Sequence, residues 1–244
     1  MHAAIITGVS RGLGEALAVE LLLRGSMVVG VGRTASARHQ GDRYRHVACD
    51  LAHPAVVAAA VLPALRDLAL EKPSAVTLIN NAAVPTPVGL IGRLDAAEVE
   101  AAIATNIAAP LVMADLFCRA FPGATPRRRI INISSGAAQN AIAGSGPYSM
   151  SKAALEMLTR AVLADHAGRA LECITLRPGI FETGMQQFMR SRDPDHFPSV
   201  ALFRGFKEQG ILKDPADVAR SIVAKLVQGP VENGRVYVHT DLDG

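Results

Sequence analysis

Seven short runs rich in β-branched residues recur along the chain, separated by segments of helical length. AAIIT (3–7), MVVGV (27–31), HVACD (46–50), AVTLIN (75–80), RIINIS (129–134), LECITL (171–176) and RVYVH (235–239) read as strands. Several are apolar at every position rather than at alternate ones, as in a strand covered on both faces. Strands alternating with helices build β-α-β units, and repeated units of that kind close into one parallel sheet. The expected fold is α/β: a doubly wound parallel sheet of about seven strands with helices on both faces.

The intervening segments carry helix signals. Leu13, Leu17 and Leu21 share a face of a helix near 12–24, which stops at Gly25. Asp95 with Glu98 resembles a capping box opening a helix toward 120, and Asp214-Pro215 opens the helix before the last strand. No repeat, linker or break in composition divides the 244 residues, so one domain over 1–244 is expected. Half the chain is hydrophobic, mostly Ala, Val, Leu and Ile, with 4% aromatics and no Trp. That suits helices packed on a sheet rather than an aromatic-rich binding surface.

The 25 basic residues are interspersed with 22 acidic ones, for a net charge of +3. The one basic run, PRRRI (126–130), lacks interleaved aromatics and reads as a solvated turn before a strand, so nucleic acid is not an expected partner. Cys49, Cys118 and Cys173 are far apart and odd in number, which suggests neither a disulfide framework nor a zinc site. No charged leader precedes AAIITG, and no apolar run approaches the length needed to cross a bilayer. The expectation is a cytoplasmic protein with no membrane partner.

ITGVSRGLGEAL places Gly8, Gly12 and Gly14, with Ser10, Arg11 and Leu13 between them, at the turn from the first strand into the first helix. In a doubly wound sheet this turn lies at the carboxyl edge, where the helix N-terminus offers free N–H groups to a pyrophosphate. The spacing is GxxxGxG, not GxGxxG, and no GK[ST] follows, which argues against an NTPase loop. An NAD site carries an acid at the end of the second strand for the ribose 2′-hydroxyl. Here that place holds Gly32 and Arg33. Arg33, helped by Arg11, could hold a 2′-phosphate in bidentate fashion, so NADP(H) is the expected cofactor.

Ser134 and Ser135 end the fifth strand, and Tyr148 and Lys152 lie four residues apart at the start of the next helix, on one face. Asn106 sits within the preceding long helix. Each could be structural alone. Together they surround the reacting end of the expected cofactor.

Here the sequence resembles the short-chain dehydrogenase/reductase family, over essentially its whole length. The matching motifs are TGVSRGLG, NNAA, NISSG, YSMSK and PGIFET, in order. Ala83 departs from the family, which usually has Gly there. The resemblance implies a single-domain Rossmann-type fold and carbonyl reduction in which Tyr148 gives the proton. It selects Ser135 over Ser134, and gives Asn106 the part of helping to hold a relay water. It implies cofactor contacts from Asp50, Leu51, Asn81, Ala82, Ala83, Pro178, Gly179, Ile180 and Thr183, besides Tyr148 and Lys152. A free tyrosine, with pKa about 10, is a poor acid at neutral pH, and a neighbouring ammonium is expected to lower it. No metal is called for.

The segment at about 183–212 is the expected substrate cover. Within the family TGMQ, RSRDPD and KEQGIL look most like the sepiapterin reductase and benzil (dicarbonyl) reductase branch. Sepiapterin reductases anchor the pterin with an acid near the C-terminus, where alignment of the last strands puts Val238, with Asp241 and Asp243 only nearby. The expected substrate is therefore a vicinal dicarbonyl or other small aromatic or apolar carbonyl, bound against Ser135 and Tyr148 and walled by Met185, Phe188 and Met189. The alternatives are a pterin carbonyl reductase and a non-catalytic NADP(H) sensor of the same fold. The family also implies a homodimer or homotetramer through the helices near 96–120 and 148–166.

Overall fold

The computed structural model describes residues 1–39 and 41–242. Its strands are β1 (His2–Thr7), β2 (Met27–Gly32), β3 (Tyr44–Ala48), β4 (Ala75–Asn80), β5 (Arg127–Ile133), β6 (Leu171–Arg177) and β7 (Val236–Val238). They form one sheet, every pair parallel, in the order β3-β2-β1-β4-β5-β6-β7. The winding reverses between β1 and β4. Loops leaving the carboxyl ends of those two strands diverge and open a crevice.

The helices are α1 (Gly12–Leu23), α2 (Pro54–Leu70), α3 (Ala96–Ile103), α4 (Ala109–Ala120), α5 (Gly146–Asp165), α6 (Gly184–Arg190), α7 (Val200–Glu208) and α8 (Pro215–Ile222). Alternate residues of β1 supply opposite layers. Ala3 and Ile5 pack with Val57, Phe117 and Leu155, whereas Ala4 and Ile6 pack with Leu17, Leu21, Val218 and Ile222. Two buried faces explain the continuous apolar run. Removing one such side chain from water contributes roughly 1.5–3 kcal/mol.

Local signals set the ends of the helices. Gly25 takes a left-handed φ of 76° and closes α1. Asp95 accepts from the Glu98 N–H at 2.9 Å to open α3, and Asp214 accepts from Ala216 at 2.7 Å to open α8.

The basic run is not a solvated turn. Arg127, Arg128 and Arg129 begin β5, and Arg128 and Arg129 are buried. Arg128 donates to the carbonyls of Phe121 (2.8 Å) and Ala170 (3.1 Å). Arg129 donates to the carbonyls of Leu226, Val227 and Gly229 and pairs with Glu172 at 2.7 Å. In a parallel α/β fold the helix C-termini gather at the amino edge of the sheet. Phe121 closes α4 and Leu226, Val227 and Gly229 close the helical stretch after α8, so the two guanidiniums satisfy carbonyls that helices leave unpaired there, with Ala170 of the loop before β6 besides.

A second expectation also fails. The continuous helical stretch Ala96–Ala120 is long and apolar enough to cross a bilayer, with mean hydropathy 1.6 over its best window. Half of that window is buried, and Met113, Leu116 and Phe117 pack in the same core cluster as Val61 and Leu65 of α2. Packing within the fold accounts for that half, while Ile103 and Leu111 of the same stretch remain exposed.

Residues 184–208 form a separate small cluster around Met189, Phe197, Val200 and Phe203. Glu182 ties α6 to α7 by pairing with Arg190 at 2.7 Å and Lys207 at 3.1 Å.

Candidate active site

The crevice at the sheet's carboxyl edge is a cleft of about 2230 Å³. Its floor is the turn from β1 into α1. Gly8 and Gly12 have φ of 74° and 63°, which side-chain-bearing residues rarely adopt. A Cβ on Gly14 would run into the Gly8 carbonyl and the Asn81 amide. Asn81 returns from the end of β4 to donate to the Thr7 carbonyl at 2.9 Å, while Thr7 Oγ1 accepts from the main-chain N–H groups of Asn81 and Ala82. The glycine turn is thus pinned to its neighbouring strand.

At the other end of the cleft, Pro147 in the first turn of α5 helps start the helix that carries Tyr148 and Lys152. The Ser135 hydroxyl neighbours the Tyr148 phenol and favours its ionised form, while Ser135 Oγ accepts from the Ala137 N–H at 3.2 Å. Lys152 is buried, donates from Nζ to the Ile133 carbonyl at 2.8 Å, and stands 5.4 Å from the centre of the Tyr148 ring. The two serines diverge. Ser134 turns inward, its Oγ 3.1 Å from the Lys152 carbonyl and 3.0 Å from Glu156 Oε1, while Ser135 lies against the tyrosine.

Burial pushes the Tyr148 phenol up to about 12, and the neighbouring Ser135 hydroxyl offsets only part of that. Burial also drives the Lys152 ammonium down to about 8. The expectation of a lowered tyrosine is therefore corrected: in this protein alone, desolvation outweighs any help from the lysine. At neutral pH the phenol keeps its proton and can donate it.

Gly8, Ser10, Arg11, Gly12, Leu13, Gly14, Arg33, Asp50, Leu51, Asn81, Ala82, Ala83, Ser135, Tyr148, Lys152, Pro178, Gly179, Ile180, Thr183, Met185, Phe188 and Met189 all line this cleft. Asn106 does not. It sits in a π-helical turn (Ala104–Ala108) between α3 and α4, and its side chain is bonded to Val84 N (2.8 Å), Val84 O (2.9 Å) and Ser151 Oγ (3.3 Å). Met189 is largely inside the small cluster of the covering segment and shows the cleft only an edge. Asp241 is engaged with Arg235 at 2.8 Å and the Val238 N–H at 2.7 Å, and Asp243 lies outside the described residues. Sequence reasoning missed Gln186, Arg177 and His239, which also line the cleft. His239 lies against Gly179. No spacing signal marks them, because the fold delivers them from separate strands and helices.

Comparison with known proteins attaches a family to this arrangement. The model of the short chain dehydrogenases matches residues 2–194, and the chain belongs to that family of nicotinamide-dependent oxidoreductases. The chain is similar to a benzil reductase ((S)-benzoin forming) of Bacillus subtilis (strain 168), with 32% identity over 97% of this chain and 98% of that one. A sepiapterin reductase of Meriones unguiculatus is 31% identical over 94% of this chain and 93% of its own. A short chain dehydrogenase from Burkholderia cenocepacia J2315, solved in complex with NADP, is 25% identical with a TM-score of 0.75, covering 96% and 94% of the two chains.

The residues present fit a dinucleotide. The glycine turn leaves main-chain N–H groups open at the start of α1, and the cleft exceeds the roughly 300–1,000 Å³ of an ordinary small-ligand site. Arg33 and Arg11 on its rim are exposed and have no hydrogen bond or ion pair among the described residues. The Arg11 guanidinium lies beside Gly184 at the start of the covering segment.

Proposed function

We propose that this protein is an NADPH-dependent reductase that converts one ketone of a vicinal dicarbonyl, or of a similar small aromatic or apolar carbonyl, to an alcohol. The observation that carries this reading is the convergence of Ser135, Tyr148 and the buried Lys152, its Nζ 5.4 Å from the tyrosine ring, in one cleft rimmed by two unpaired arginines. The similarity to benzil reductase supports the substrate class. Asp241, already held by Arg235 and Val238, is not free to anchor a pterin, which weighs against the sepiapterin-like alternative.

When bound, NADPH supplies the hydride. Arg33 and Arg11 would hold the 2′-phosphate, and the glycine turn would receive the pyrophosphate on open N–H groups. Asp50, Leu51, Asn81, Ala82 and Ala83, which line the cleft, would face the adenosine side, and Pro178, Gly179, Ile180 and Thr183 the reacting side. Ser135 and Tyr148 both address the substrate oxygen. As negative charge develops on it, Ser135 donates a hydrogen bond and Tyr148 delivers its proton. The Lys152 ammonium steadies the phenolate left behind. The Asn106 amide is committed to Val84 and Ser151, so any relay water it holds is held by its main-chain carbonyl. Met185, Phe188 and Met189 wall the substrate from the covering segment at about 183–212.

The reading takes residues 1–244 as one cytoplasmic domain that pairs with further copies of itself. Ile103 and Leu111 on the helix through α3 and α4, and Met150 and Met157 on α5, are exposed apolar side chains on the helices expected to meet.

The test is a carbonyl panel of benzil, aliphatic vicinal diketones, a monoketone and sepiapterin, with consumption of NADPH and NADH followed at 340 nm. Turnover of the diketones, faster with NADPH, is expected. Tyr148→Phe is expected to lower it by roughly 10²–10⁴-fold. Tight NADPH binding without turnover across the panel would point instead to the sensor alternative, and an unaffected Tyr148→Phe variant would overturn the assignment of the proton donor.

A further inference from the structure

Glu156 lies one helical turn beyond Lys152 and lines neither the cofactor nor the substrate region of the cleft. Its carboxylate is nevertheless fully used. Oε1 and Oε2 receive a two-pronged contact from Arg177, each prong 2.8 Å long. Oε1 also lies 3.0 Å from Ser134 Oγ, which is itself 3.1 Å from the Lys152 carbonyl. The Ser134 N–H donates to the Leu176 carbonyl at 2.7 Å. Glu156 and Arg177 are only 15% and 12% exposed.

The chain positions of these partners give the cluster its meaning. Ser134 immediately precedes Ser135. Lys152 shares its helix with both Tyr148 and Glu156, and Arg177 immediately precedes Pro178. The three segments that bring the serine, the tyrosine-lysine pair and the reacting-side loop to the cleft therefore converge on one carboxylate. Each comes from a different element: the end of β5, the first turns of α5 and the end of β6. Nothing in the sheet ladder fixes the rotation of α5 about its axis relative to those two strand ends. Thr159 bonds Asn132 of β5 and Thr175 of β6 farther along α5, and the guanidinium-carboxylate fork, with its fixed planar geometry, sets the rotation at the end that carries Tyr148 and Lys152.

We propose that Glu156, through Arg177 and Ser134, is the positioning residue that sets Tyr148 and Lys152 in register with Ser135 and the Pro178–Thr183 loop. It touches no reacting atom. The inference rests on the reading of Tyr148, Lys152 and Ser135 given above. A misplacement of about 1 Å at a reacting centre lowers a rate by about 10²-fold, so a loosened fork acts on kcat.

The test compares wild type with Glu156→Gln, which keeps the shape and loses the charge, and Arg177→Lys, which keeps the charge and loses the fork. Benzil turnover, NADPH affinity by fluorescence of the reduced nicotinamide, thermal midpoint, and deuterium exchange over 177–183 are measured. Expected is a fall in kcat of roughly 10–100-fold in both variants. NADPH affinity should stay within about threefold in Glu156→Gln, whose site does not line the cleft, with faster exchange over 177–183 in both variants. Should a single variant fold poorly, the paired Glu156→Met, Arg177→Met variant replaces the ion pair with apolar groups of similar volume, a change folds commonly tolerate. It is expected to fold and still to lack kcat. A kcat within twofold of wild type in Glu156→Gln, or losses in step with the folded fraction alone, would overturn the inference. If wild type itself does not reduce benzil, the failure belongs to the function proposed above, and the exchange comparison still tests the fork.

Discussion

At the centre of the cleft two ionisable groups are displaced by the same cause in opposite directions. Burial penalises the charged form, so the phenol of Tyr148 rises to about 12 and the ammonium of Lys152 falls to about 8. The lysine is thus cationic below about pH 8 and neutral above. In the free protein, kcat/KM for carbonyl reduction should fall as pH rises through about 8, because the neutral amine no longer steadies the phenolate. A pH-rate profile checks this, and Lys152→Met should lose that limb along with most activity. The stability effect has the other sign. The unfolded chain keeps the lysine proton up to about 10.5, so burial of the cation weakens the fold below 8 and is relieved as pH rises from about 8 to 10.5. Lys152→Met removes that penalty below about pH 8, so its loss of activity should not be matched by a loss of folding in urea unfolding at pH 7. Arg33 is exposed and has no partner among the described residues, so Arg33→Ala should cost no stability. It should raise the KM for NADPH by about 10–100-fold and leave NADH unchanged, since it removes a charge-assisted contact to the 2′-phosphate. The missing acid after β2 and the arginine in its place are local facts, legible in the sequence. The direction of the tyrosine shift is not, because it depends on how much protein closes over the ring.

Among the elements, the strands were the most readable. Both faces of β1, β2 and β4 are covered, so their apolar runs are unbroken and their limits clear. The π turn at Asn106 was invisible, because one extra residue in a helical turn hardly disturbs an apolar period over a long helix. It matters because Asn106 clasps both main-chain groups of Val84. Asn106→Ala would leave them unpaired, at a cost of roughly 1–3 kcal/mol in urea unfolding. A larger loss in kcat than in stability is expected, since Ser151 beside Lys152 loses the same partner. Three consecutive arginines likewise misled by composition. Local charge said solvent, but the amino edge of the sheet supplied several converging main-chain carbonyls, which the many N–H groups of a guanidinium satisfy together. The polar chain Asn80–Asn132–Thr159–Thr175 was equally hidden: its links of 2.9, 2.9 and 2.8 Å cross from β4 through β5 and α5 to β6.

For the molecule as a whole, the exposed apolar positions are unevenly placed. Met150, Ala153, Met157 and Ala161 form a nearly uninterrupted exposed stripe on α5, and Ile103 and Leu111 extend apolar exposure onto the helix beside it. Association of further copies through this surface would bury it. Under the proposed pairing, wild type should exceed the monomer mass in light scattering and Leu111→Lys combined with Met157→Lys should reduce it to that mass with the fold intact; a wild type of monomer mass would overturn the pairing, and an unchanged larger mass would place the interface elsewhere. The sequence by itself determined the parallel α/β architecture, the glycine turn at its carboxyl edge and the family, because those depend on periodicity and on spacing along the chain. Only the tertiary structure decided that Ser134 turns inward to Glu156, where the arginines go, and that Glu156 gathers β5, α5 and β6 around the cleft. Those are contacts between residues from separate elements, and burial, hydrogen-bond direction and electrostatic environment acquire values only once the sheet has brought those elements together.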